Sequence, residues 1–278
     1  MSSISLPLAK RADRRLPRRS VTLLKKAAVP IALVILWEVA ARAGMVDVRF
    51  IPAPSKVVVA WYQWIFGTQK SLGDPYVGTW TMHALQSAYR VVLGFAFAAL
   101  VGILLGVLIG YFRLFGELVD PLLQVLRPIP ITAWVPFAVI FFGIQTPSAV
   151  FLIALGAFFP IVVNTTAGVN RVPRSLIRAA QMLGTPKLKL LPRVILPAAL
   201  PSIFTGLRIG FGMAWVLVVV SEMLAVKGGL GYVLWDSYYY MRMDIIIAAM
   251  LSIGLLGFVS DWLILQIGNH VVRWNEGK

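Results

Sequence analysis

Residues 86–110 read Gln-Ser-Ala-Tyr-Arg-Val-Val-Leu-Gly-Phe-Ala-Phe-Ala-Ala-Leu-Val-Gly-Ile-Leu-Leu-Gly-Val-Leu-Ile-Gly, and their one charged residue, Arg90, lies near the start. A helix needs about 20 mainly apolar residues to cross roughly 30 Å of hydrocarbon, since each residue rises about 1.5 Å. This stretch therefore specifies a membrane-crossing helix. Working outward, five more runs of the same kind appear: Ala27 to Gly44, about Ile129 to Ile144, about Ser148 to Thr165, about Ile203 to Val226, and about Ile245 to Gly268. The run from Ile129 to Ile144, third of the six in chain order, is broken by Pro130 and Pro136. The expected fold class is an all-α integral membrane protein with six transmembrane helices.

Composition agrees. Of 278 residues, 59% are apolar and 13% charged, against about 25% charged in a typical soluble chain. Such an apolar excess excludes disorder. With no cysteine, a disulfide scaffold, thiolate metal sites and a cysteine nucleophile are excluded. The net charge of +15 leaves two options, a polyanion partner or a membrane topology signal, and the positions of the charges decide between them. Residues 1–26, the surroundings of Arg113, the loop 166–201 and the C-terminal tail hold eight, one, six and two basic residues, seventeen in all. The alternate set of loops holds five: Arg49, Lys56, Lys70, Lys227 and Arg242. Lys/Arg accumulate on the cytoplasmic side, so both termini are expected in the cytoplasm and nucleic acid is not the partner.

The organisation that follows is a basic cytoplasmic tail over 1–26, expected to be mobile, and one transmembrane domain over 27–278. The apolar N-terminal run lacks an A-x-A-like cleavage site, so it reads as a retained helix and not a signal peptide. Between the first two spans, Ser55 to Phe66 reads as a short aromatic helix with Ser55 as its N-cap. It is suited either to the headgroup region or to packing on other spans.

The loop 166–201 carries the most information. Ser175 to Leu183 forms a short helix with a small Ala179-Ala180 face, Gly184 suits the C′ position beyond its end, and a second short helix starts near Pro186. Two short helices joined at a glycine on the basic side make a protruding knob that another backbone can approach closely. On physics alone, a loop helix lying on the membrane surface is an equal reading.

These residues resemble the cytoplasmic loop signature of ABC importer permeases: Glu-Ala-Ala, three residues, Gly, nine residues, Ile, one residue, Leu-Pro. Here Ala179-Ala180, Gly184, Val194 and Leu196-Pro197 fall at the matching positions. Further stretches resemble the taurine, alkanesulfonate and nitrate branch: Phe50-Ile51-Pro52-Ala53-Pro54, Arg127-Pro128-Ile129-Pro130 with Ala133-Trp134-Val135-Pro136, Thr205-Gly206-Leu207-Arg208, Ser221-Glu222-Met223-Leu224, and Gly229-Leu230-Gly231-Tyr232. One departure stands out. Arg178 occupies the signature's Glu position, so a salt bridge assigned to that Glu does not carry over.

The resemblance implies the ABC importer permease fold in a multi-pass protein of the bacterial cytoplasmic (inner) membrane. It implies a homodimer with a second permease copy, a pair of ATP-binding cassette subunits docked on Arg178, Ala179, Ala180, Gly184, Leu196 and Pro197, and a periplasmic or lipoprotein solute-binding protein outside. The cargo it implies is a small anionic or zwitterionic solute of the taurine, sulfonate or nitrate kind.

The chain itself has no Gly-x-x-x-x-Gly-Lys-Ser/Thr phosphate loop. His83 and His270 are far apart in sequence, and no catalytic or metal-binding constellation is visible. It is read as a non-enzyme without cofactor or metal. The competing reading is a self-sufficient secondary transporter or channel, although internal repeats and midplane carboxylates are not evident.

Polar groups within spans are costly and mark candidate functional positions. Arg90, Arg127, Arg208 and Asp261 fall near predicted span ends, where interfacial anchoring explains them. Arg127, Thr132 and Trp134 on the proline-broken third span are translocation-pathway candidates, because freed backbone carbonyls survive only beside protein or water. Glu222 is a fourth candidate. It either gates the path or pairs with a basic residue such as Lys227.

Overall fold

The computed structural model describes residues 18–68 and 74–271. The rest of the basic N-terminal segment, Lys70, and the C-terminal Arg273 and Lys278 lie outside the described residues. Among the described residues the chain is helical throughout, with no strand. It divides after Lys56 into two compact units.

The first unit holds α1 (Arg18–Arg42), which starts well before the expected Ala27 and continues through Pro30. Its Glu38 carboxylate accepts hydrogen bonds from the Ser55 amide (3.0 Å), the Ser55 hydroxyl (2.9 Å) and Arg42 Nε (2.6 Å). Ser55 is therefore not the cap of the next helix: α2 (Pro54–Phe66) begins one residue earlier, and the Ser55 side chain is engaged by Glu38.

In the second unit, the part of α2 beyond Lys56 buries Val57, Ala60 and Trp64 against Tyr76, Leu230, Val233 and Ile245, while Val58, Val59 and Tyr62 stay exposed. One face is packed and the other is open, so the helix does pack on its neighbours, as one of the two sequence readings has it.

The centre is built by α3 (Trp80–Tyr111), α6 (Thr146–Asn170) and α9 (Leu196–Leu224), whose buried side chains include Val91, Ile153, Ile161, Ala214 and Val218. Small residues let apolar helices approach where no hydrophobic force acts between them in lipid. At Gly106 a Cβ would lie 2.6 Å from Thr165 Cβ, so α3 and α6 run in backbone-close contact there. Beyond α9 come α10 (Leu230–Tyr239) and α11 (Met243–Val271).

Among the described residues four stretches are long and apolar enough to cross a membrane: Trp80–Tyr111, Thr146–Asn170, Lys187–Leu224 and Met243–Val271; α1, the expected first span, is not one of them. The expected third span is corrected. No loop surrounds Arg113; instead α4 (Arg113–Leu126) follows α3 directly, and i,i+4 pairs Arg113–Glu117 and Asp120–Gln124 support it. A 90° bend separates α4 from residues 131–142, which comprise a 3-10 turn and α5 (Val135–Phe142). Pro128 and Pro130 cause the break: each lacks an amide donor and disfavours helix at the preceding residue. Residues 131–142 rise only about 18 Å as a helix, too little to cross alone.

Candidate functional site

Two places carry chemistry that the fold itself does not require. The first is the segment joining α6 to α9. After Pro173 the chain forms α7 (Arg174–Met182), none of whose residues is buried. Its end is closed by a Schellman motif, with the Thr185 amide donating to Ala180 O and the Gly184 amide to Gln181 O, both at 3.0 Å. Gly184 sits at φ +84 with nothing within 4 Å of a Cβ placed there, as the C′ reading of this glycine requires. Pro186 then opens α8 (Lys187–Leu190), and a π turn (Leu191–Ile195) containing Pro192 leads into α9.

The structure divides the signature in two. Arg178, Ala179 and Gly184 are exposed at the tip, and Ala180 is partly so. Leu196 and Pro197 lie at the root, where Leu196 packs on the cluster of Val107, Val169, Ile195 and Ala199. Sequence reading missed the apolar groups that crown the tip: Met182 is 88% exposed, Leu183 87% and Leu188 93%. Their signal was present as apolar residues on a short helix pair with no inward face to fill.

The second place is a polar cleft between α4 and the end of α6 nearest that knob. Arg113, Glu117, Asp120, Gln124 and Arg127 recur at helical spacing and form one stripe of α4. With Thr166 and Asn170 of α6 they line two adjoining hollows of about 310 and 480 Å³. The opposite face, Leu114, Leu118, Leu122 and Val125, is exposed. The polar residues that border the hollows are exposed as well, and the partly buried side of α4 is Phe115, Gly116, Val119, Leu123 and Leu126. Arg127, at the end of α4, borders the larger hollow. Thr132 and Trp134 do not: Thr132 is exposed on the 3-10 turn, and Trp134 packs edge-to-face on Phe137 at 5.7 Å. Asp120, Gln124, Thr166 and Asn170 were absent from the sequence candidates.

Glu222 is placed differently from its expected pairing. It is fully buried and bonded to Arg90 at 2.7 Å, not to Lys227. Arg90, expected as an interfacial anchor, is 6% exposed. The cause is geometric: Arg90 and Glu222 face each other across α3 and α9, where burial forces opposite charges to pair. Arg208 and Asp261 also pair with each other, through two 2.8 Å contacts, and are not separate anchors.

Away from these helices, Tyr76 donates its hydroxyl to Asp236 at 2.8 Å, and burial pushes its phenol up to about 12. Arg242 bridges Asp74 and Asp244 and is held above its ordinary value by those carboxylates. This network ties the 74–79 segment to α10 and α11. Among the described residues no cluster of His, Asp or Glu is arranged to hold a metal ion.

Comparison with known proteins is consistent with this architecture. Residues 71–272 match the family model described as the binding-protein-dependent transport system inner membrane component. The chain is 36% identical to the nitrate import permease protein NrtB of Synechocystis, over 88% of each chain. It is 30% identical to the aliphatic sulfonates transport permease protein SsuC of Bacillus subtilis, over 95% of this chain and 93% of that one. It is also 40% identical to an ABC transporter permease protein of Methanocaldococcus jannaschii, over 91% and 93%. Among solved structures, an inward-facing form of the MetNI methionine ABC transporter superposes with a TM-score of 0.58 at 20% identity, covering 73% of this chain and 98% of that one.

Proposed function

The chain belongs to the inner membrane components of binding-protein-dependent ABC transporters, in the branch of nitrate and sulfonate permeases, and on that premise we propose that it forms the membrane path of an importer for a small anionic or zwitterionic solute of the nitrate, sulfonate or taurine kind. It is a multi-pass protein of the cytoplasmic membrane. In this reading six spans, namely α1, α3, the bent pair of α4 with residues 131–142, α6, α9 and α11, place both termini in the cytoplasm. Two copies enclose the path, two ATP-binding subunits drive it, and an external binding protein delivers the solute.

The observation that carries the reading is the α7–α8 knob. It has a glycine tip with open space around it and a crown of exposed Met182, Leu183 and Leu188. Exposed apolar groups on a polar, Arg-rich element fit a protein partner. The ATP-binding subunits meet Arg178, Ala179, Ala180 and Gly184 directly, while Leu196 and Pro197 hold the knob to its root. When those subunits close, the knobs are displaced together and the spans swing as rigid bodies.

The solute leaves through the α4–α6 cleft. Arg127 supplies positive charge there, and Gln124, Thr166 and Asn170 supply neutral hydrogen-bonding groups. Thr132 and Trp134, on the turn after the proline break, do not border that cleft. Glu222 acts in the fold and is not a lining charge.

The test is Gly184→Trp in permease reconstituted with its ATP-binding partner. Loss of substrate-stimulated ATPase with normal membrane insertion is the expected result, and normal coupling in that variant overturns the docking assignment.

A further inference from the structure

α10 starts without a side-chain cap of its own, yet three amides at its start are satisfied from other helices. The Gly229 amide donates to His83 Nδ1 at 3.1 Å, the Leu230 amide to Ser87 Oγ at 2.8 Å, and the Gly231 amide to a Glu222 carboxylate oxygen at 2.9 Å. The preceding carbonyl, Gly228 O, accepts from Arg90 Nη1 at 2.7 Å. The same nitrogen holds Glu222 at 2.7 Å, and Ser87 Oγ donates to Glu222 at 2.8 Å.

His83, Ser87 and Arg90 stand four and three residues apart, so they form one stripe of α3. Glu222 comes from the far end of α9. Gly228 and Gly229 sit at φ +137 and +108, and a Cβ on Gly229 would collide with the Glu222 carboxylate. At Gly229 the joint leaves no room for a side chain. It is also buried: Glu222 and Ser87 are fully inaccessible. Isolated buried charge is expensive, so removing either partner leaves the other uncompensated.

This joint lies at one end of α9, and the other end follows directly from the knob through α8 and the π turn. A 29-residue helix spans about 43 Å. Hence α9 is a continuous rod, with the docking element at one end and the root of α10 at the other.

We propose that Ser87, Arg90 and Glu222 are positioning residues for transport: they weld the N-terminus of α10 to α3 and α9, so that displacement of the knob reaches α10 through one stiff body. The weld makes α10, with its exposed Tyr238–Tyr240 end, the element that reports the state of the ATP-binding subunits on the opposite side. This inference rests on the docking reading above. Its own content is that α10 does not move relative to α3.

The test uses the absence of cysteine in the chain. Spin labels on Leu104→Cys of α3 and Tyr239→Cys of α10, in permease diluted with unlabelled copies, report one intramolecular distance. In the otherwise unaltered chain, one narrow distance is expected with and without ATP in the reconstituted complex. With Arg90→Gln, Glu222→Gln or the milder Ser87→Ala added, the distribution broadens. ATP-driven uptake then falls by about tenfold, a loss within the range carried by coupling networks, while the ATP-binding subunits still bind and hydrolyse. These three variants are graded in severity, so a folded one carries the measurement.

A distance that shifts by several Å on ATP binding in the otherwise unaltered chain overturns the proposal, as does a narrow distance with full uptake in the Arg90 and Glu222 variants. Failure of the ATP-binding subunits to bind unaltered permease would strike the docking reading instead. The broadening, measured on the permease alone, would still judge the weld.

Discussion

Arg208 and Asp261 face each other across α9 and α11, 53 positions apart in sequence, through two parallel contacts of 2.8 Å, Nε to Oδ1 and Nη2 to Oδ2. Both belong to helices long and apolar enough to cross a membrane. The planar guanidinium matches the carboxylate fork, and pairing removes a net charge that lipid would penalise. Neutralising one partner should therefore lower the thermal midpoint of the purified protein more than neutralising both. The comparison is Asp261→Asn and Arg208→Gln against the double variant. Additive losses would show that the two side chains do not depend on each other.

The contact of Gly106 with Thr165 sets a second expectation. Gly106→Val must push α3 from α6, and overpacking of this kind costs about 1–3 kcal/mol. Gly212, around which nothing lies within 4 Å, serves as the matched control. Gly212→Val should leave the thermal midpoint and yield close to those of the unaltered protein, while Gly106→Val lowers both. Equal behaviour of the two variants would remove close packing as the reason for glycine at 106.

The polar stripe of α4 is open to chemical labelling in a cysteine-free chain. Gln124→Cys and Asn170→Cys should react with a membrane-impermeant thiol reagent supplied from the cytoplasmic side, because thiolate forms only where water reaches. Leu118→Cys and Leu122→Cys, on the opposite face, should react slower by about tenfold or more, since an apolar surround holds the thiol neutral. Similar rates on both faces would show that the cleft is not hydrated.

Gly184 makes a conformational prediction separate from its size. At φ +84 an L-residue with a Cβ pays about 1–2 kcal/mol. Gly184→Ala should weaken association with the ATP-binding subunits by roughly fivefold to thirtyfold, measured by titration of purified components. Asn tolerates the left-handed region better, so Gly184→Asn should fall between. The reverse order would mean that side-chain bulk governs the tip, and not backbone geometry.

Much of the architecture was legible in local composition. The runs at 86–110, 148–165, 203–226 and 245–268 each correspond to a long apolar helix, because burial in lipid selects an uninterrupted stretch that needs no partner to be recognised. Gly184 was legible for a similar reason: a C′ glycine is specified by its own turn. The region 111–144 was misjudged because Arg113 was taken as a loop marker, although it opens the polar stripe that continues through Glu117, Asp120, Gln124 and Arg127. The spacing was present, but a polar stripe reads the same whether it faces solvent, a loop or a cleft.

The Arg90–Glu222 joint was not legible at all. Its partners lie 132 positions apart, and nothing near Glu222 distinguishes Arg90 from the closer Lys227. Only the packing of α3 on α9 makes that choice.

The π turn at Leu191–Ile195 holds one residue more than an α turn, since its bonds run i→i+5 in place of i→i+4. The wider turn absorbs that residue within about one revolution, so the helix on either side keeps its phase. Deleting Arg193 would restore regular winding and leave the knob's direction relative to α9 almost unchanged. Such a chain would hold its docking atoms and still present them to the same side. The turn is slack in the rod, a link that can lose a residue without turning its handle away from the motor.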